Sequence, residues 1–342
     1  MRKMLTLGSL IVLFVYFVPI CSTGFAGFGT TPILQDANQD FAGNHEEIAQ
    51  TTSDLTRESG EIAVSVDGEI SNLPLEIYVA GVVAAEVSPD FPDAALQAQA
   101  IAARTYAVYK QRMGRPAQHT EADVCNDPAH CTAYVDLAVE AGSIWGESAE
   151  EYENAIVQAV QETAGKIVVY EGAPIIAVFS AAAAEQTEAA VDVWGSDIPY
   201  LVSVQSGGET ACPRYHDRVT VSAEEFRRNV QEALPSADLS GAPDTWFQSE
   251  KRSVAGGVVS VELGGIAVRG TTVRTLAGLR STHYTLEATD ESLTFVTEGY
   301  GHGVGLSQWG ARQMALDGAD CETILTHYYK GTQIKDLHEL AV

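Results

Sequence analysis

Glu86 stands out for where the chain places it. It closes an apolar run, Tyr78-Val79-Ala80-Gly81-Val82-Val83-Ala84-Ala85, and is followed by Val87-Ser88-Pro89. Pro89 cannot continue a helix, so the carboxyl falls at a helix C-terminus. That end carries partial negative charge, which disfavours the ionised form, and apolar neighbours push the same way. A carboxyl kept protonated near neutrality is what a general acid requires. The spacing alone leaves a plain surface glutamate at a helix end as an equal reading.

Three further groups have chemical potential. Gln97, Gln99 and Arg104 lie in an alanine-rich segment, and Gln97, Ile101 and Arg104 fall on one helical stripe. If buried, those polar groups need partners, which a ligand, Glu86 or an internal polar network would supply. His119, Cys125, His130 and Cys131 fall within thirteen residues, broken by Asn126-Asp127-Pro128. Two thiolates and two imidazoles suit tetrahedral zinc, and a site with four protein ligands is closed, hence structural. A Cys125–Cys131 disulfide is the alternative. Last, Gly299-Tyr300-Gly301-His302-Gly303-Val304-Gly305-Leu306-Ser307-Gln308-Trp309-Gly310 sets one histidine among five glycines. So much glycine means unusual φ or a close approach, by a ligand or by another part of the chain. With Ser307, Gln308 and the Trp309 ring nearby, a glycan groove reached by His302 and Gln308 is one reading. A tight turn with a structural histidine is the other.

The elements that must hold these residues alternate between helix and strand. Ile62–Val66 reads as a strand ahead of an Asp67-Gly68 turn; residues 73–85 and 94–109 read as helices. Residues 151–163 are helical, and 166–170, 175–179 and 200–204 read as strands. A helix over 220–233 and a hairpin, 257–263 with 266–269 around Gly264-Gly265, follow. Helices over 306–317 and 321–330 end the chain. Short strands with segregated helices predict an α+β fold.

At 342 residues and 46% hydrophobic, the chain can build a substantial core. Its net charge of -26 argues against nucleic acid or an anionic membrane surface as partner. It also favours a polymer substrate that is neutral or stripped of charge. Arg2 and Lys3 precede an uncharged run from Leu5 to Ile20, a signal anchor (residues 1–21) or a cleavable signal peptide. Both place the body, residues 61–338, outside the cytoplasm; the anchor reading puts it at the cell membrane as a single-pass protein. Residues 22–60 read as an acidic tether of roughly 35 Å r.m.s. span. Of the other cysteines, Ile20 before Cys21 speaks against lipidation, while Cys212 and Cys321 are either paired or free.

The stretches "LPLEIYVAGVVAAEVSPDFPDAALQAQAIAARTYAVY" and "GYGHGVGLSQWGARQMALDGADCETILTHYYKGTQI" resemble the stage II sporulation protein D family. The family remodels peptidoglycan and also includes amidase-enhancer proteins; the resemblance spans roughly residues 61–335. It implies a lytic transglycosylase that cuts peptide-stripped glycan between N-acetylmuramic acid and N-acetylglucosamine, leaving 1,6-anhydro ends. It implies Glu86 as the catalytic glutamate and Arg104 as a catalytic-site arginine; the residues themselves suggest Gln97, His302, Ser307 and Gln308 as substrate contacts beside it. It implies zinc on His119, Cys125, His130 and Cys131. The implied partners are glycan strands, a sporulation amidase-endopeptidase and a multi-span membrane protein of an engulfment complex. One departure is Ser180-Ala181-Ala182-Ala183-Ala184-Glu185-Gln186, where members carry a Ser/Gly-rich turn; Glu185 or Gln186 would have to compensate for lost contacts. A glycan-binding module that enhances an amidase, or a structural tether at the septum, are the competing functions.

Overall fold

The computed structural model describes residues 60–340; the expected anchor, and the tether up to Gly60, lie outside the described residues. No helix among the described residues is long and apolar enough to cross a membrane. β1 (Glu61–Val66) and β2 (Glu69–Pro74) form an antiparallel hairpin through Asp67 and Gly68, both at positive φ. The free edge of β1 pairs in parallel with β3 (Val124–Cys125), so the Cys/His segment hangs from the first strand.

Pro74 sets the entry to α1 (Leu75–Glu86), which ends at Glu86 because Val87 turns extended ahead of Pro89. This helix is apolar nearly all round and is correspondingly buried. At Gly81 a methyl group would meet the Tyr134 ring and the Val135 carbonyl at 2.4 Å, so only glycine lets that segment lie against α1. α2 (Asp93–Met113) packs on α1 and on α4 (Ala149–Glu162) through its alanines. α3 (Leu137–Trp145), capped by the Asp136 side chain, lies between them in sequence. β4 (Lys166–Tyr170) is flanked by β5 (Ala173–Pro174) and β14 (Gln333–Asp336). β6 (Phe179–Ser180) pairs in parallel with β13 (Leu306–Ser307), and α8 (Gln308–Leu316) and α9 (Cys321–Tyr328) close the main core.

Between α5 (Ala190–Trp194) and β13 the chain builds a second lobe with its own core around Phe226, Trp246, Val273 and Phe295. Its elements are β7 (His216–Ser222), α6 (Ala223–Ala233), β8 (Phe247–Arg252), β9 (Val258–Leu263), β10 (Ile266–Arg269), α7 (Gly270–Ala277), β11 (Tyr284–Ala288) and β12 (Ser292–Glu298). Entry and exit strands are neighbours, His216 opposite Glu298. Phe226 is wholly buried, so truncating it to Ala costs about 3–5 kcal/mol.

The α+β expectation holds, as do the helices over α1, α2 and α4 and the hairpin at Gly264-Gly265. Two expected strands do not form. Of 175–179 only Phe179 joins a ladder, and 200–204 is extended but held by single bonds such as Thr187 N–H to Val204 O. Apolar alternation marked them as buried, which they largely are, without providing a neighbouring strand. The helix expected over 220–233 begins at Ala223, where Ser222 caps it by accepting from the Glu225 amide.

Candidate active site and metal centre

Glu86 is half-buried at the end of α1 and held from two sides. Its Oε1 accepts from the Ala133 amide at 3.1 Å and its Oε2 from Gln308 Nε2 at 3.3 Å. Both donors favour the ionised form, but desolvation outweighs them and lifts the carboxyl to about 7. The group therefore exchanges its proton near neutral pH, with two fixed donors ready for the carboxylate. The Ala133 amide lies on the segment that Gly81 admits against α1; Gln308 opens α8, 222 residues further along the chain.

The N-terminus of α8 is itself fixed from below. Ser307 caps the helix by accepting from the Gly310 amide, and its hydroxyl donates to Glu209 Oε2 at 2.8 Å. Glu209 is 3% exposed, accepts also from Ser206, and is pushed up to about 7 by burial. Ser206 in turn meets the Tyr328 hydroxyl at 2.7 Å. Ser307 is thus a buried structural cap rather than a substrate contact. Glu209 escaped the sequence reading because "SGGETACP" gives no apolar periodicity to signal burial.

His302 also departs from expectation. It is 3% exposed, packs against Trp194 at 5.2 Å between ring centroids, and its Nδ1 accepts from the Val304 amide at 3.0 Å. Burial, reinforced by the Arg274 charge, lowers it to about 3, so the ring is neutral and internal. The glycines serve the chain itself. Gly305, at φ 75°, lies where a methyl group would stand 2.2 Å from the Val178 carbonyl. Tyr300 and Ala182 exchange both backbone hydrogen bonds, and the Ala183 amide donates to Ser307. The altered alanine loop thus serves as backbone support for the glycine stretch. Gln186 accepts from Ser203, and Glu185 is exposed.

Gln97 and Arg104 bond to groups other than Glu86. Gln97 donates to Glu162 at 2.7 Å. Arg104 is 0% exposed and grips Glu76 with Nε and Nη2, while Nη1 donates to the Lys166 carbonyl and Nη2 also reaches that of Val160. Glu76 accepts as well from the Gly165 amide at 3.2 Å. The pair clamps α1 and α2 to the end of α4 and the start of β4. Arg104 was expected in the catalytic site; in this structure its partners are Glu76 and two backbone carbonyls, and none of them is Glu86. Gln99 is buried with neither amide atom hydrogen-bonded.

His119, Cys125, His130 and Cys131 converge, with all four ligand atoms within 4.8 Å of one another. His119 Nε2 lies 3.1 Å from His130 Nδ1; Cys131 Sγ lies 3.4 Å from each of these nitrogens, and Cys125 Sγ 3.5 Å from His130 Nδ1. Tetrahedral zinc, with bonds of about 2.0 Å to nitrogen and about 2.3 Å to sulfur, sets its ligands roughly 3.3–3.8 Å apart. The donor set fits that ion. His119 Nδ1 is 2.8 Å from the Ala122 carbonyl, which fixes the tautomer that leaves Nε2 free to ligate. Both cysteines are unbridged, as are Cys212 and Cys321. Two residues beyond Cys131, Ala133 donates to Glu86, so the cluster and the acid share one short segment.

Comparison with known proteins agrees with this arrangement. A sequence model of the family described as stage II sporulation protein matches residues 66–170, which contain Glu86, Arg104 and the Cys/His cluster. Stage II sporulation protein D of Bacillus subtilis (strain 168) is 35% identical over 267 residues, 78% of this chain and 76% of that one. Its counterpart in Bacillus amyloliquefaciens is 34% identical over the same shares. The amidase enhancer of Bacillus subtilis is 26% identical, over 74% of this chain and 40% of its own. With the matched segment carrying Glu86 and the Cys/His cluster, and relatives up to 35% identical over 78% of this chain, the chain belongs to the stage II sporulation protein D family.

Proposed function

We propose that this protein acts in sporulation as a peptidoglycan lytic transglycosylase on peptide-stripped glycan strands, with Glu86 as its single acid–base. The observation that carries the reading is a carboxyl poised at about 7 between two fixed N–H donors. Protonated Glu86 gives its proton to the glycosidic oxygen as the bond from the muramic acid C1 to that oxygen breaks. The Ala133 and Gln308 donors then stabilise the carboxylate left behind. The sugar's own 6-hydroxyl attacks C1 and returns its proton to Glu86, so no water is consumed and the acid is regenerated. Most glycosidases place a second carboxylate across the bond; this route needs one.

Zinc on His119, Cys125, His130 and Cys131 belongs to the proposal as a structural ion: it would cross-link the loop that delivers Ala133, and no proton moves through it. The proposed setting is the outer face of the cell membrane, with residues 1–21 as anchor, an amidase supplying stripped strands and a multi-span membrane protein as a further partner.

Full-length protein and its Glu86→Gln variant, incubated with amidase-stripped peptidoglycan and analysed by mass spectrometry, test the reading. Anhydro-muramic ends from the wild type alone are expected. Reducing ends would mean hydrolysis. Retained glycan binding without products from either protein would leave an amidase-enhancing module, as the 26% identical relative is named.

A further inference from the structure

Resting on the reading of Glu86 as a glycan-cleaving acid, we infer that Arg312 is a receptor for a carboxylate carried by the sugar, and so selects strands whose 3-O-linked acid is free rather than amidated. Arg312 follows Gln308 by four residues on α8, on the same helical face, roughly 6 Å along from the amide that touches Glu86. Its guanidinium lies over the Trp309 ring at 5.3 Å and the Phe91 ring at 5.7 Å, and those rings meet edge to face at 5.2 Å. Phe91 itself comes five residues after Glu86. Acid, aromatic pair and guanidinium therefore form one wall, and a hexosamine laid along it with its glycosidic oxygen at Glu86 would bring a ring substituent towards Arg312.

The guanidinium is held but uncommitted. Arg312 makes no ion pair or hydrogen bond with any of the described residues. Contact with both rings holds the guanidinium in place, and its N–H groups make no hydrogen bond to the described residues, so two of them are available to a carboxylate in parallel. A net charge of -26 repels anions in general, so a substrate with one carboxylate per disaccharide needs such a local receptor. An amide in place of that carboxylate keeps one acceptor oxygen but loses the charge and adds an N–H facing the fork.

The test measures binding without turnover. Full-length Glu86→Gln protein is titrated with a stripped glycan tetrasaccharide whose lactyl acids are free, and with the same oligosaccharide converted to methylamides. A preference for the acid of about tenfold to a hundredfold is expected, the range for a hydrogen-bonded charge pair. In Glu86→Gln/Arg312→Gln the ratio should fall close to one. Glu86→Gln/Arg312→Lys, which keeps the stem and the charge but loses the paired donors, should fall several-fold and provides the answer if the glutamine variant fails to fold. No preference in the parent, or a preference that survives both substitutions, overturns the inference. Failure of the transglycosylase reading would show separately, as missing anhydro products from the wild type with the binding preference intact.

Discussion

Replacing Glu86 by Gln should make the protein more stable, and increasingly so as pH rises. A carboxyl at about 7 in the folded chain, against 4.5 for its ordinary value, binds a proton more tightly when folded. Its contribution to stability is fully present below the unfolded value and is lost as pH climbs through the folded one. A shift of that size corresponds to about 3 kcal/mol in full, of which about 2 kcal/mol falls between pH 5.5 and pH 8. The lower limit is chosen because the isoelectric point near 4.5 invites precipitation. Glutamine stays neutral throughout, keeps an acceptor for the Ala133 amide, and Gln308 can turn its carbonyl to meet the new amide. Urea unfolding of both proteins at the two pH values provides the comparison. The variant should gain about 2 kcal/mol over the wild type on going from pH 5.5 to 8. Glu209, also raised to about 7, contributes its own slope to both proteins and cancels in the difference. A gain that is the same at both pH values would refute the claim that burial holds the Glu86 proton, and with it the physical basis for calling it an acid.

Three other outcomes follow from the same geometry. Glycan cleavage should decline above about pH 7 as Glu86 loses its proton, and Gln308→Leu, which removes a donor to the carboxylate, should move that alkaline limb upward by roughly half to one unit, read from kcat/KM against pH. Elemental mass spectrometry should find one zinc per folded chain, lost in Cys125→Ser and in Cys131→Ser. Those variants should also lose protection of the Ala133 amide in hydrogen exchange, because the loop that carries it is no longer cross-linked. Arg104→Met leaves the buried Glu76 carboxylate without its guanidinium and should cost about 3–5 kcal/mol in denaturant melts, most of it recovered in Glu76→Leu/Arg104→Met; a loss of turnover without loss of stability would point to a catalytic role for Arg104.

What could be read from the sequence was what is local. Pro89 ends α1 wherever that helix packs, so the position of Glu86 at a helix terminus was legible, and so was the spacing of the Cys/His cluster. Partnership was not legible. The helical stripe of Gln97 and Arg104 was real, but its partners, Glu162 and Glu76, lie 65 and 28 residues away, and nothing in the stripe distinguishes them from Glu86. The glycine stretch signalled a close approach without saying by what; at Gly299, Gly301 and Gly305 the Val178–Ala183 segment makes it. Most strands of the second lobe went unread even though β11 and β12 alternate in burial, and residues 220–222 at the end of β7 fall within the helix expected to follow it.

The hydrogen bond between Gln308 and Glu86 joins residues 222 apart in sequence. For the glycan cleavage proposed above, this spacing determines when in synthesis the site can be complete. A nascent or clipped chain ending anywhere before α8 has the acid and the whole Cys/His cluster but lacks the amide that orients the acid and the wall beside it. The most distant contact in the site is also the last that synthesis makes possible, so on the proposed function a chain can cut only once α8 has been made.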